Sequence, residues 1–224
     1  MIEVDENQAP IGQPLVGKLA GGIGINQTEF HMKSAKTQLS ARRLARKFNE
    51  FVRENKIKVI EIEFLDVCFY SWGDKGESLL SEKRLDISRY KKFNDNKGGV
   101  HNLTKKNEII MLGEEKSEYV KKVEVSNEIS IGNVNVIIDE DIPQAFSHWT
   151  YQYTKRELLV CDLKGTAGKS QFTFTDPAIH STEPGKYGGT DHGDKGKLRF
   201  FETHVCNSLC KRLRLHMKLT NSIY

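Results

Sequence analysis

The sequence predicts an α+β fold, on three observations. Apolar residues recur at close to 3.6-residue spacing over residues 29–55 and again over Lys197–Leu215, the mark of helices with one buried face. Runs rich in Val, Ile and Phe, at Lys56–Tyr70 and Leu158–Asp162, read as strands. The second helical stretch also carries His204, Cys206 and Cys210, a spacing that suits a metal clip.

Composition narrows the field. A chain of 224 residues, 38% hydrophobic and 29% charged, has ordinary globular composition and can bury one large core or two small ones. No run of about 18 apolar residues occurs, so no membrane-spanning helix and no membrane partner are expected. Met1-Ile2-Glu3-Val4-Asp5-Glu6 is acidic and polar, unlike a signal peptide, which predicts a cytoplasmic location. Lys and Arg number 34 against 30 Asp and Glu, a net charge of +4 that admits phosphates but does not point to nucleic acid. Four cysteines without an export signal read as reduced thiols or metal ligands.

In chain order, residues 1–14 form a loose leader. Pro14–Ala20 is a short strand whose Lys18 faces solvent in the plainest reading. Gly21-Gly22-Ile23-Gly24 reads as a turn, because no strand and helix flank it in the order a phosphate cradle needs. The helix over 29–55 buries Ala35, Leu39, Leu44, Ala45, Phe48 and Val52, and turns Arg42, Arg43, Arg46 and Lys47 to water. Lys56–Tyr70 is one strand, Gly73–Gly76 a turn, and Ser78–Leu85 the returning strand. Tyr90–Gly99, rich in Asn, Asp and Gly, reads as a surface loop. Residues 101–140 are charge-rich, with a strand-like Ile129–Ile138, and form an insertion that could hold a hairpin.

Beyond the insertion, Gln144–Thr154 is an aromatic-rich helix and Leu158–Asp162 a buried strand tipped by an acid. Gly165 and Gly168 bracket a flexible turn, and Thr173–Pro177 brings a second acid, Asp176. Gly188–Gly196 is a polar Gly-rich loop. Lys197–Leu215 is one helix, with Leu198, Phe200, Phe201, Val205, Leu209 and Leu213 on its apolar side.

Two constellations can carry chemistry. Cys206 and Cys210 lie four apart, so a helix puts both thiols on one face, and His204 adds a third ligand of a kind zinc accepts. The fourth would be His148, His180 or His192; the competing reading is two buried cysteines and an incidental histidine. Asp162 and Asp176 can orient a nucleophile and hold magnesium on phosphates, or simply cap turns.

Five ordered stretches resemble the atypical alpha-kinase family, which includes myosin heavy chain kinases, elongation factor 2 kinase and channel-kinases. They are Gln144-Ala145-Phe146-Ser147-His148-Trp149-Thr150-Tyr151, Leu159-Val160-Cys161-Asp162-Leu163-Lys164-Gly165, Thr175–Ser181, Thr190–Gly196 and Thr203–Leu213. A weaker match runs back through Tyr90–Gly98 to the helix at 29–55, so the resemblance spans most of the chain outside the leader and 101–140.

The resemblance implies a two-lobed kinase fold that moves the γ-phosphoryl of ATP to Ser or Thr in protein substrates, often helical ones. Residues 15–85 would be a partial N-lobe and 86–218 a C-lobe with its insertion, followed by a tail at 219–224. It makes Asp162 the catalytic aspartate and Asp176 a magnesium ligand. It places Glu82 and Leu85 at adenine, Lys18 at the α-phosphate, and Lys92 and Asn96 at the other phosphates. It completes a structural zinc site in the C-lobe with His148, His204, Cys206 and Cys210. Thr190, Asp191, Gly193 and Gly196 fall where the family approaches peptide. Two features depart from the family pattern: Lys164 stands where the family has a metal-binding glutamine, and only 17 residues precede Lys18, where the family sets a Gly-rich nucleotide loop. They support an alternative, a catalytically inactive alpha-kinase-like domain acting as a binding or scaffold module.

Overall fold

α1, Gln27–Glu54, packs against both larger sheets of the molecule and holds them in register. The computed structural model describes residues 3–4, 6, 10–11, 13–20, 26–73, 77–97, 99 and 141–215. The expectations for Gly21–Gly24, the insertion at 101–140 and the tail at 219–224 lie outside the described residues.

Asn26 starts α1, its side-chain oxygen accepting from the Glu29 amide at 3.1 Å and satisfying a first-turn N–H that the helix leaves unpaired. Ala41, Leu44, Ala45, Phe48 and Val52 form its buried stripe. Leu39, expected inside, is 50% exposed. The inward place beside it belongs to Gln38, whose amide nitrogen donates to Leu65 O at 2.9 Å and whose oxygen accepts from Asp176 N at 2.8 Å. The basic face is partly paired: Arg42 meets Asp66, and Lys47 meets Glu50 at 2.7 Å.

The first residues are not wholly loose, since β1 (Glu3–Val4) pairs antiparallel with β2 (Pro10–Ile11). β3 (Leu15–Lys18), β6 (Glu77–Lys83) and β5 (Val67–Trp72) form an antiparallel sheet in the order β3-β6-β5. The second sheet has the order β4-β10-β9-β7, from Glu61–Phe64, Gln171–Thr175, Lys164–Ala167 and Tyr90–Lys92, with β4 and β10 parallel. β8 (Leu159–Cys161) and β11 (Ala178–His180) make a short antiparallel pair.

Four expected boundaries move. Lys56–Tyr70 is two strands in two sheets, β4 and β5. The Leu65 carbonyl goes to the Gln38 side chain and Asp66 is drawn to Arg42, so the chain leaves one ladder before joining the other. Tyr90–Gly99 is not all loop: β7 is an edge strand, and Phe93 and Asn94 behind it are buried. Gly165 lies inside β9, opposite Phe174, rather than in a turn. The last helix is α3 (Gly193–Thr203) and α4 (Ser208–Arg212), because the Asn207 side chain caps a new helix by accepting from Cys210 N at 2.9 Å. Val205, in the break, is 80% exposed, and Leu198 is also exposed.

The strand β3 ends at Lys18 and α1 begins at Gln27, so Gly21–Gly24 does lie between a strand and a helix, contrary to the sequence reading. The core is aromatic. Phe48 of α1 meets Phe146 of α2 (Asp141–Tyr153) at 5.4 Å between ring centroids, and Phe64 of β4 meets Phe174 of β10 at 5.6 Å. Edge-to-face packing of this kind adds to the area these rings remove from water. It fixes α2 and β10, and with them the strands that carry the acids.

Candidate active site and metal-binding cluster

Asp162 follows β8 and Asp176 follows β10, each at a positive φ of 57° and 50°. Aspartate tolerates this left-handed conformation better than most residues, and such positions gather at functional sites. The tight turns bring the two carboxylates together over the end of β9. There Lys164 Nζ lies 2.7 Å from Asp162 Oδ2 and 3.2 Å from Asp176 Oδ2. Lys92, ending β7, reaches the other Asp162 oxygen at 2.9 Å.

Lys18 does not face solvent. Its Nζ pairs with Glu82 of β6 at 2.9 Å, donates to Thr175 Oγ1 at 3.2 Å and lies 3.9 Å from Asp176. Glu82 is 6% exposed, and the Thr175 hydroxyl and the Gln38 amide both donate to it. Lys18, Lys92 and Lys164 thus face Glu82, Asp162 and Asp176 in one continuous network.

Two recesses flank that network. One, of about 430 Å³, is lined by Leu15, Phe64, Glu82, Leu85 and Thr173, between the two sheets. The other, of about 470 Å³, is lined by Phe30, Lys33, Asp162, Lys164, Asp176 and Thr190. Tyr90 lies close enough to feel Lys164 and both acids. Its hydroxyl is held above its ordinary pKa, first by burial, with Lys164 opposing and the carboxylates adding.

Asn94 fixes this corner. Fully buried, it accepts from Leu163 N at 2.9 Å and donates to Ser147 Oγ at 3.1 Å, linking the backbone beside Asp162 to α2. Replacing Asn94 by alanine strands the Leu163 amide. We expect a loss of about 1–3 kcal/mol, read from the urea midpoint.

Asn96 sits in the turn beyond, where His180 Nε2 donates to its carbonyl at 2.9 Å; His192 N donates to the other nitrogen of the His180 ring at 3.2 Å. Both nitrogens of His180 are therefore engaged. Of the expected peptide-facing residues, Thr190 lines the larger recess, but Asp191, Gly193 and Gly196 are buried. Asp191 accepts from Ser181 N and Gly193 N, at 2.9 and 3.0 Å. Gly193 lies against Pro184, and Gly196 against the His180 ring.

At the far end of the C-terminal elements, ligand atoms of His148, His204, Cys206 and Cys210 all lie within 4.8 Å of one another. The two cysteines do not share a helical face: Cys206 is in the break after α3 and Cys210 is in α4. His148 Nδ1 and His204 Nε2 are 3.1 Å apart. Cys206 Sγ to His148 Nδ1 and Cys210 Sγ to His204 Nε2 are each 3.6 Å. A tetrahedral zinc with Zn–N near 2.0–2.1 Å and Zn–S near 2.3 Å requires roughly 3.3 Å between nitrogens and roughly 3.5 Å from nitrogen to sulfur. The donor set and these three separations are of the kind zinc accepts. Burial, then His148, lowers the His204 pKa to about 4, so its ring is neutral as a ligand must be. Burial raises the Cys206 and Cys210 thiols, the latter to about 12, so metal binding must expel their protons.

Thr175, Gln38, Asn94 and Tyr90 belong to the site and were not singled out by sequence. Thr175 opens one of the five quoted stretches, and Asn94 and Tyr90 lie within the weaker match at Tyr90–Gly98, a positional signal; Gln38, a polar residue on a helix's apolar stripe, was a sign of buried hydrogen bonding.

The fold is that of an alpha-kinase domain. The chain belongs to the alpha-kinase family, whose model matches residues 3–210. It is 28% identical over 204 residues to myosin heavy chain kinase B of Dictyostelium discoideum, covering 89% of this chain and 22% of that protein. It is 44% identical over 75 residues to alpha-protein kinase vwkA of the same organism, 34% of this chain and 12% of that protein. The chain thus spans about a fifth or less of these relatives. The crystal structure of the alpha-kinase domain of myosin-II heavy chain kinase A in complex with AMP-PNP superposes with a TM-score of 0.63 at 26% identity, covering 96% of this chain and 70% of that one. Among the described residues no helix is long and apolar enough to cross a membrane.

Proposed function

We propose that this chain transfers the γ-phosphoryl of ATP to Ser or Thr hydroxyls of a protein substrate in the cytoplasm. The observation that carries the reading is the convergence of Lys18, Lys92, Asp162 and Asp176 between two recesses, one between the sheets beside Leu15 and Leu85 and one beside the Gly-rich loop. Adenine lies against Leu85 and Leu15, near Glu82. Lys18 holds the α-phosphate, and Lys92 and Asn96 the outer phosphates. The acceptor segment, helical in the family expectation, enters the recess beside Thr190.

Phosphoryl transfer needs little covalent help; it needs in-line positioning and charge stabilisation. Lys92 and Lys164 neutralise Asp162. A triphosphate competes for these ammonium groups, which frees the Asp162 carboxylate to orient the acceptor hydroxyl and take its proton. His148, His204, Cys206 and Cys210 hold a structural zinc that braces α2, and so β8 and Asp162. A magnesium ion at Asp176 does not fit while Lys164 occupies the space between the two acids, because an ammonium offers only donors where a cation needs acceptors.

Labelled ATP and a basic protein substrate test this. Transfer by the folded wild type should fall by about 10²–10⁴-fold in Asp162→Ala. Equal transfer by the variant would refute the role of Asp162. No transfer by a folded wild type favours the second reading, an inactive binding module, for which the pairing of Lys164 with both acids is the supporting observation.

A further inference from the structure

Lys164 bridges Asp162 and Asp176 as a single positive centre, at 2.7 and 3.2 Å, the position a metal ion would take between two carboxylates. It is anchored there by its backbone. As the first residue of β9 it pairs with Thr175 on one side and Lys92 on the other, in the interior of the sheet. Its side chain is largely buried, so leaving the acids would strand a cation in a poorly solvated place.

The charges of the cleft already balance, with Lys18, Lys92 and Lys164 against Glu82, Asp162 and Asp176. A neutral side chain at 164 would leave one negative charge in excess, and that excess would draw in a divalent cation. With lysine present, a cation set between the same two oxygens would lie against the ammonium.

We infer that Lys164 takes the place of the divalent cation in the nucleotide cleft, so that this chain binds ATP through its own ammonium groups with little dependence on magnesium. The inference rests on the nucleotide cleft proposed above. Nζ neutralises the two acids and turns to the β- and γ-phosphate oxygens when a triphosphate enters. Lys92 and Lys18 supply the flanking charges.

The test is AMP-PNP binding by calorimetry to the zinc-loaded chain, in resin-treated buffer without magnesium and again with magnesium added. Wild-type affinity should change by less than about threefold, whereas Lys164→Gln should bind at least about tenfold more weakly without magnesium and recover with it. Lys164→Arg, which keeps the cation, should follow the wild type. With manganese as the probe, electron paramagnetic resonance should show ion bound to the nucleotide complex of Lys164→Gln and not to that of the wild type. A tenfold or greater magnesium requirement in the wild type, or identical behaviour of Lys164→Gln, overturns the inference. Binding in neither buffer overturns the nucleotide cleft and the inference with it. Metal-independent binding without phosphoryl transfer supports the inference and refutes only the kinase reading.

Discussion

Replacing Cys210 with serine is expected to abolish cooperative folding of the chain. Cys210 is fully buried at the start of α4, and its thiol meets His204 Nε2 at 3.6 Å. His148 comes from α2 and His204 from the end of α3, so one ion would join three helices. Structural zinc binds its ligands with about 10 kcal/mol or more, comparable with the roughly 5–15 kcal/mol that stabilises a whole domain. Metal analysis should find about one zinc per wild-type chain and none in the variant. The variant should aggregate or lose its thermal transition. A metal-free wild type with a sharp melt would remove zinc from the account. Since both thiols must lose protons, zinc should be released more readily as pH falls, which a chromogenic chelator can follow.

Substituting Gly165 with alanine is expected to cost about 3 kcal/mol or more, through steric overlap and backbone strain together. Gly165 has a φ of +153° in β9, a conformation L side chains rarely adopt. A Cβ there would overlap the Thr173 carbonyl oxygen and lie 2.9 Å from Phe174 Cα on the neighbouring strand. Only by separating β9 from β10 could the sheet admit it, and that would pull Lys164 away from Asp176. The comparison is Gly189→Ala, where a Cβ meets nothing within 4 Å. That variant should stay within about 0.5 kcal/mol of wild type. Urea midpoints distinguish the two; equal midpoints would show that β9 and β10 are not held as closely as described.

Much of this architecture could be read in the sequence where a periodicity was long. α1 was legible because its stripe of Ala41, Leu44, Ala45, Phe48 and Val52 repeats over about three turns. The division of β4 from β5 was hidden, since Val59–Tyr70 is rich in β-branched and aromatic residues with no Gly or Pro to mark a turn, and the break depends on Gln38 and Arg42, distant in sequence. Gly165 was ambiguous for a chemical reason: a glycine that serves a turn and one that allows close strand approach are the same residue. The gap between α3 and α4 was masked by Val205, which continues the apolar pattern yet faces water. The ligand types of the His/Cys cluster were legible, but spacing could not choose His148 over His180 or His192; only the family resemblance did. Lys164 was visible as a substitution. That it spans both acids follows from the turns after β8 and β10, which no local pattern encodes.

The parallel pairing of β4 with β10 sets Ile62 beside Phe172, 110 positions later in the chain. On a ribosome adding roughly 5–20 residues per second, α1 and β4 wait roughly 5–20 s before that partner is made. Throughout this interval Phe48, Phe64 and their neighbours have no strand to cover them. The nascent first half is therefore the stage at which the polypeptide most needs a chaperone, and slowing translation between β4 and β10 should lower its soluble yield.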